Sequence, residues 1–335
     1  MLLKWLLWFP LSLAQWALCI VGAAALVLVA MIATPVPPIP ELRSVSETAK
    51  AVDRSTMPAL DHFIARDGTT LTYRHYPARG PAAGPIAILV HGSSGSSPSV
   101  HGLADALAAH GVETFAPDIR GHGGSGTRGD IGYVGQLEDD MADLVARVRK
   151  SNPDAPITLL GHSAGGGFAL RVASSPIQNL FARTVLLAPY LGYDAPTNRP
   201  NSGGWASPDI PRILALAALR RIGVHCCDAL PVLGFAVPPN MKEILVSTYS
   251  DRLTRNFATR GYREDFAATT RPVTLFAGAD DELMLSDKYA DAVHAVASKV
   301  DVKLIAGANH MSLLSDPKAV SAIAEDVARR GTAGT

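Results

Sequence analysis

Ser163 stands in the stretch Ile157 to Phe168, where an apolar run breaks at a glycine, carries one serine and resumes as a helix-forming segment. Gly161-His162-Ser163-Ala164-Gly165 fits G-x-S-x-G, the pattern of a serine on a sharp strand-to-helix turn with its hydroxyl pushed out at the top of a sheet. Such a turn strains the serine backbone and brings its neighbours close, so side chains at 161 or 165 would collide with adjacent elements. A helix that begins after the serine aims its N-terminal N–H groups and positive dipole end at charge developing there. The chemistry implied is nucleophilic attack by Ser163. The bland alternative is an ordinary turn, and the order of the rest of the chain decides between them.

Elements able to position such a serine recur along the sequence. His62–Ala65 and Thr70–His75 flank Asp67-Gly68, a tight-turn dipeptide, and predict an antiparallel pair. Ile86–Val90 reads as a buried strand ending in His91-Gly92-Ser93-Ser94-Gly95, a segment too rich in glycine and serine to continue it. Small side chains there leave room for loop N–H groups to face the nucleophile as part of an oxyanion hole. Helical spacing over Val100–His110, a strand over Val112–Ala116 and the glycine-rich loop Asp118–Ser125 follow. Next come a helix over Gln136–Lys150, the serine turn, and a strand over Thr184–Leu187. This alternation implies right-handed crossovers and a mostly parallel sheet with helices on both faces, its sites gathered at the strands' carboxyl ends.

Residues 190–270 interrupt the alternation with prolines and the apolar stretches Ile210–Leu219 and Leu230–Val237. They read as an inserted cap whose apolar side chains pack on the main domain or line an acyl pocket. The alternation resumes with Val273–Ala277, then Gly278-Ala279-Asp280-Asp281-Glu282, a helix over Lys288–Ser298, the strand Val302–Ile305, and Gly307-Ala308-Asn309-His310. An amphipathic helix over Ala319–Arg330 closes the chain, and Asp316 before it is a poor rival for an acid role.

Thirty Lys+Arg balance thirty Asp+Glu, so no basic field invites nucleic acid. Residues 1–33 are apolar with Lys4 as the only charge, and Leu11–Ala33 alone exceeds the roughly 20 residues needed to cross a bilayer. The run is too long for an ordinary signal-peptide core and favours an uncleaved transmembrane anchor. Lys4 and the terminal amine place the N-terminus in the cytoplasm, giving a single-pass membrane protein with its catalytic domain on the non-cytoplasmic side. Residues 34–57 form a linker whose Pro35–Pro40 segment favours a stiff extended spacer, and residues 58–335 form the main domain. Cys19 lies in the anchor, and the adjacent Cys226 and Cys227 make neither a disulfide framework nor a recognisable metal site.

From Leu60 to Ala328 the chain resembles the α/β-hydrolase superfamily, and within it the serine aminopeptidase-like group that includes monoacylglycerol lipases and lysophospholipases. His91-Gly92, Asp118-Ile119-Arg120-Gly121-His122-Gly123, the serine turn, Gly278-Ala279-Asp280-Asp281 and Asn309-His310 carry the resemblance in the expected order. It implies nucleophile, acid and histidine at Ser163, Asp281 and His310, with Asp280 as the alternative acid. It also implies oxyanion donors at the backbone N–H groups of Ser93 and Ala164, with Ser94 competing for the former. His162, His91, His122 and His294 are read as structural, because none follows the final strand. No metal or organic cofactor is required. The expected activity is hydrolysis of a small-molecule acyl ester through an acyl-enzyme, with a lipid ester favoured by the cap and the membrane segment. A peptidase or small-ester hydrolase, and a non-catalytic receptor on the same fold, are the competing readings.

Overall fold

The computed structural model describes residues 2–34, 39, 42, 45, 53–80, 84–241 and 244–331. The chain opens with α1 (Leu2–Ala33), whose segment Ala14–Ala33 is long and apolar enough to cross a membrane. Of the expected Pro35–Pro40 spacer, all but Ile39 lies outside the described residues.

Strands β1 (Leu60–Ile64) and β2 (Thr70–Tyr76) pair antiparallel around the Asp67-Gly68 turn. They are followed by β3 (Ile86–Val90), α2 (His101–Ala109), β4 (Glu113–Pro117), α3 (Gln136–Arg149), β5 (Ile157–His162), α4 (Ala164–Ala173) and β6 (Arg183–Leu187). The cap holds β7 (Ala206–Pro208), α5 (Ile210–Arg221), β8 (Pro231–Phe235), β9 (Thr248–Ser250), α6 (Asp251–Asn256) and α7 (Tyr262–Ala268). The main domain then finishes with β10 (Val273–Gly278), α8 (Tyr289–His294), β11 (Asp301–Ile305) and α9 (Pro317–Gly331).

The main sheet has eight strands in the order β1-β2-β4-β3-β5-β6-β10-β11. Only the β1–β2 and β2–β4 pairings are antiparallel. Every residue of β3, β5, β6 and β10 is buried, as expected of strands covered by helices on both faces, whereas the edge strand β1 is mostly exposed and the edge strand β11 mostly half-buried. Because β3, β5, β10 and β11 run parallel, the loops that follow them emerge at one edge of the sheet. Asp316 caps α9 by accepting from the N–H groups of Lys318 and Ala319, each at 3.0 Å, a structural duty away from the chemistry.

Two features differ from the sequence expectation. The helix expected over Lys288–Ser298 is shorter, since α8 ends at His294, whose imidazole Nε2 meets the Val300 carbonyl at 3.0 Å and helps turn the chain into β11. The cap contains its own antiparallel sheet, β7-β8-β9, which its apolar composition did not reveal.

The end of α1 meets the cap. Arg212 Nε donates to the Ile32 carbonyl at 2.9 Å, and Thr34 Oγ1 lies 3.2 Å from both carboxylate oxygens of Asp209. Asp209 also caps α5, accepting from Arg212 N–H at 3.1 Å.

Candidate active site

Ser163 lies between β5 and α4 at φ +55°, ψ −120°, a backbone region that L residues enter at a cost on the order of 1–3 kcal/mol. The strain persists because neighbouring groups fix it. Ser163 N–H donates to the Leu187 carbonyl at 2.9 Å, and its own carbonyl accepts from Gly167 and Tyr190 at 3.1 and 2.9 Å. The glycines around it are sterically required: a Cβ at 161 would sit 2.1 Å from the Gly165 carbonyl oxygen, and one at 165 would sit 2.2 Å from that of His91.

Asp281, in the loop after β10, is buried and places Oδ2 at 2.8 Å from His310 Nδ1. Its Oδ1 accepts from the N–H groups of Leu283 and Met284, both at 2.8 Å. Burial alone would raise this carboxyl; the charge and hydrogen bond of His310 and the two N–H groups outweigh it and hold Asp281 below its usual range. Its neighbour Asp280 points into solvent, so Asp281 is the aspartate that meets His310. The pairing assigns Nδ1–H to His310 and leaves Nε2 as the nitrogen able to accept a proton.

The loop around this pair is braced by residues with no recognisable motif. His310 N–H donates to Glu282 Oε2 at 3.0 Å, and Arg199 at the start of the cap donates to the carbonyls of Asp281 and Met284 at 2.8 and 3.2 Å. His162 does more than shape its turn: Nε2 donates to the His310 carbonyl at 3.0 Å, and the two rings lie 4.6 Å apart. Burial, reinforced by the nearby His310, drives the His162 pKa down to about 3 and keeps that imidazole neutral. His91 is also neutral and fully engaged, with Nδ1 donating to the Gly92 carbonyl at 2.8 Å and Nε2 accepting from Ile119 N–H at 3.1 Å.

Ala164 opens α4, so its N–H has no intrahelical partner. In the loop after β3, Ser94 N–H donates to Tyr249 Oη at 2.6 Å and is thus already engaged within the protein. Ser163, His162, His310 and Ser93 all line one cavity of about 520 Å³ including its mouth, whose apolar walls are Val45, Trp205, Leu245, Leu283 and Met311. Val45 comes from the linker and Trp205 and Leu245 from the cap, so segments outside the main sheet build much of the wall. Cys226 and Cys227 lie far along the cap as free thiols with their sulfurs 2.9 Å apart, and no metal-binding cluster occurs among the described residues.

A serine turn after β5, an acid after β10 and a histidine after β11, on a mostly parallel sheet with helices on both faces, define an α/β-hydrolase. A monoglyceride lipase from Saccharomyces cerevisiae, solved as a soluble variant with a substrate analogue, shares the fold at a TM-score of 0.62 and 17% identity, covering 84% of this chain and 97% of that one. The chain belongs to the serine aminopeptidase, S33, family, whose model matches residues 83–318. A monoglyceride lipase homolog of monkeypox virus is 25% identical over 240 residues, 67% of this chain and 81% of that protein. The monoglyceride lipase of Mus musculus is 31% identical over 153 residues, 45% of this chain, and is itself matched over about half its length, 48%. The protein is therefore a serine hydrolase of the lipase and esterase kind.

Proposed function

We propose that this protein is a membrane-anchored carboxylic-ester hydrolase that works through Ser163, His310 and Asp281 and acts on a lipid-like acyl ester such as a monoacylglycerol or lysophospholipid. The observation that carries the reading is the strained Ser163 opening onto an apolar cavity that it shares with a histidine held by a buried carboxylate. His310 Nε2 takes the Ser163 proton as Oγ attacks the acyl carbonyl, and the N–H groups of Ser93 and Ala164 stabilise the tetrahedral oxyanion. His310 then protonates the departing alcohol, and an acyl-enzyme remains. The same imidazole activates water for deacylation, while Asp281 fixes its tautomer and stabilises its protonated form.

The cavity supports an acyl chain over a peptide: no Asp or Glu is among the described residues lining it, and an aminopeptidase must hold a substrate ammonium group. Location supports a lipid source. The apolar α1 ends against the cap, and beside that contact α5 leaves Ile210 and Leu214 more than half exposed. The relatives named as monoglyceride lipases support the same substrate class.

The test is an acyl-chain series of monoacylglycerols, lysophospholipids and aminoacyl amides, with Ser163→Ala as control. Turnover of long-chain esters, labelling by a fluorophosphonate, and a loss of about 10³-fold or more in kcat on Ser163→Ala are expected. Faster amide than ester cleavage would move the protein to the peptidases, and normal turnover by a folded Ser163→Ala variant would remove Ser163 from the mechanism.

A further inference from the structure

The cap grips the loop that carries Ser93. Trp205 Nε1–H donates to Ser93 Oγ at 2.8 Å, Ser94 N–H donates to Tyr249 Oη at 2.6 Å, and Val246 N–H donates to the Ser94 carbonyl at 2.8 Å. Ser94 is thus held on both sides by the cap, and it needs to be, because it sits at φ +67°, a conformation that L residues disfavour. Its own Oγ is buried without a hydrogen-bond partner, so the side chain does not stabilise that backbone.

The tyrosine hydroxyl is itself fixed in direction. His122 Nδ1 faces the carbonyls of Ile119 and Arg120 at 3.2 and 3.4 Å, so it carries the ring hydrogen and leaves Nε2 as an acceptor. Tyr249 Oη lies 2.5 Å from that Nε2 and donates to it, which leaves an oxygen lone pair for Ser94 N–H. Burial keeps His122 neutral and Tyr249 protonated, and both rings pack closely, Tyr249 edge-on to Phe235 at 4.6 Å and to His122 at 5.1 Å. A chain of fixed polarity therefore runs from the loop after β4, through the cap, to the peptide between Ser93 and Ser94.

We propose that Tyr249 is a positioning residue that holds the Ser93 N–H in its oxyanion-binding orientation, so that the cap sets the rate of the chemical step as well as covering the cavity. The proposal rests on the reading of Ser163 as nucleophile and of Ser93 N–H as oxyanion donor. Fixing the peptide after Ser93, and its side chain through Trp205, fixes the dihedrals that aim its N–H. A misdirected donor costs transition-state stabilisation while leaving ground-state binding in the apolar cavity intact.

Tyr249→Phe deletes the hydroxyl and keeps the ring. The expected result is a fall in kcat of about 10- to 100-fold with KM unchanged within about twofold. An alkyl boronic acid, which adds to Ser163 Oγ and places a boron-bound oxygen in the oxyanion site, should bind weaker by a similar factor. A non-hydrolysable alkyl ether of the same chain length should bind as before. If Tyr249→Phe does not fold, His122→Phe decides the matter: it keeps the tyrosine but removes the ring acceptor that directs its hydroxyl, and should show the same boronate-selective loss. Equal loss of boronate and ether affinity, or kcat within about twofold of wild type in the folded variants, overturns the proposal. Failure of the underlying reading looks different: wild-type protein would then bind boronate no more tightly than ether, and Ser163→Ala would turn over normally.

Discussion

Asp280 and Asp281 are adjacent and chemically identical, and their surroundings separate them. One is in solvent; the other accepts from His310 and from two backbone N–H groups. Asp281→Asn should therefore cost up to about 10⁴-fold in kcat by releasing the imidazole tautomer, whereas Asp280→Asn should stay within a few-fold of wild type on the same short-chain ester. A large loss at 280 alone would reverse the assignment. His162 gives a second residue-level expectation. Below its usual pKa of 6.5 the unfolded chain takes up a proton at this position, which the folded chain refuses until the pH nears about 3. Stability should therefore fall as the pH drops through that window, by up to about 1.4 kcal/mol per pH unit from this group. His162→Gln, which keeps a donor for the His310 carbonyl, should flatten the dependence of the urea midpoint on pH; an unchanged slope would show that other groups dominate.

At the scale of elements, the site is an intersection of loops whose supports come from different parts of the chain. The serine turn depends on how closely α4 and the loop after β3 approach β5. Gly165→Ala forces a methyl group against the His91 carbonyl oxygen and should destabilise the fold by about 1–3 kcal/mol or more, read as a lower urea midpoint, with activity falling in parallel. Wild-type stability in that variant would mean that the loop after β3 yields easily, which would also weaken the case that its geometry is tightly held. The acid loop leans on the cap as well. Leu285 N–H donates to the Thr197 carbonyl at 2.8 Å, and Arg199 covers the Asp281 and Met284 carbonyls. The cap thus braces both the loop that carries Asp281 and the loop that carries Ser93.

For the whole molecule, the contact of α1 with α5 ties the position of this candidate membrane-spanning helix to the catalytic domain. Arg212 reaches the Ile32 carbonyl in the last turn of α1, where helix carbonyls lack intrahelical donors, and Asp209 meets the Thr34 hydroxyl just past the helix end. If residues 1–33 stay attached, the protein should sediment with membranes and resist carbonate extraction. A mature N-terminus at or near Thr34 would replace that reading with a secreted enzyme. Ile210 and Leu214 on α5 are more than half exposed beside the contact with α1.

What the sequence determined by itself follows from short-range rules. Buried parallel strands read as unbroken apolar runs, so β3, β5 and β10 were legible almost to the residue. The steric need for Gly161 and Gly165 was legible because a strained serine turn leaves no room for side chains. The order of motifs pointed to Ser163 and His310 as candidates, and the resemblance to the α/β-hydrolases favoured Asp281 over Asp280. Tertiary structure decided what depends on contacts between distant segments. Which aspartate meets His310 is a matter of loop direction, and the cap sheet β7-β8-β9 forms from strands too short to show a period. Glu282, Arg199, Trp205 and Tyr249 carry no motif, because their roles consist in reaching a backbone group or hydroxyl contributed by another part of the chain. A hydrogen bond between residues 94 and 249 exists only once the cap has folded back over the sheet.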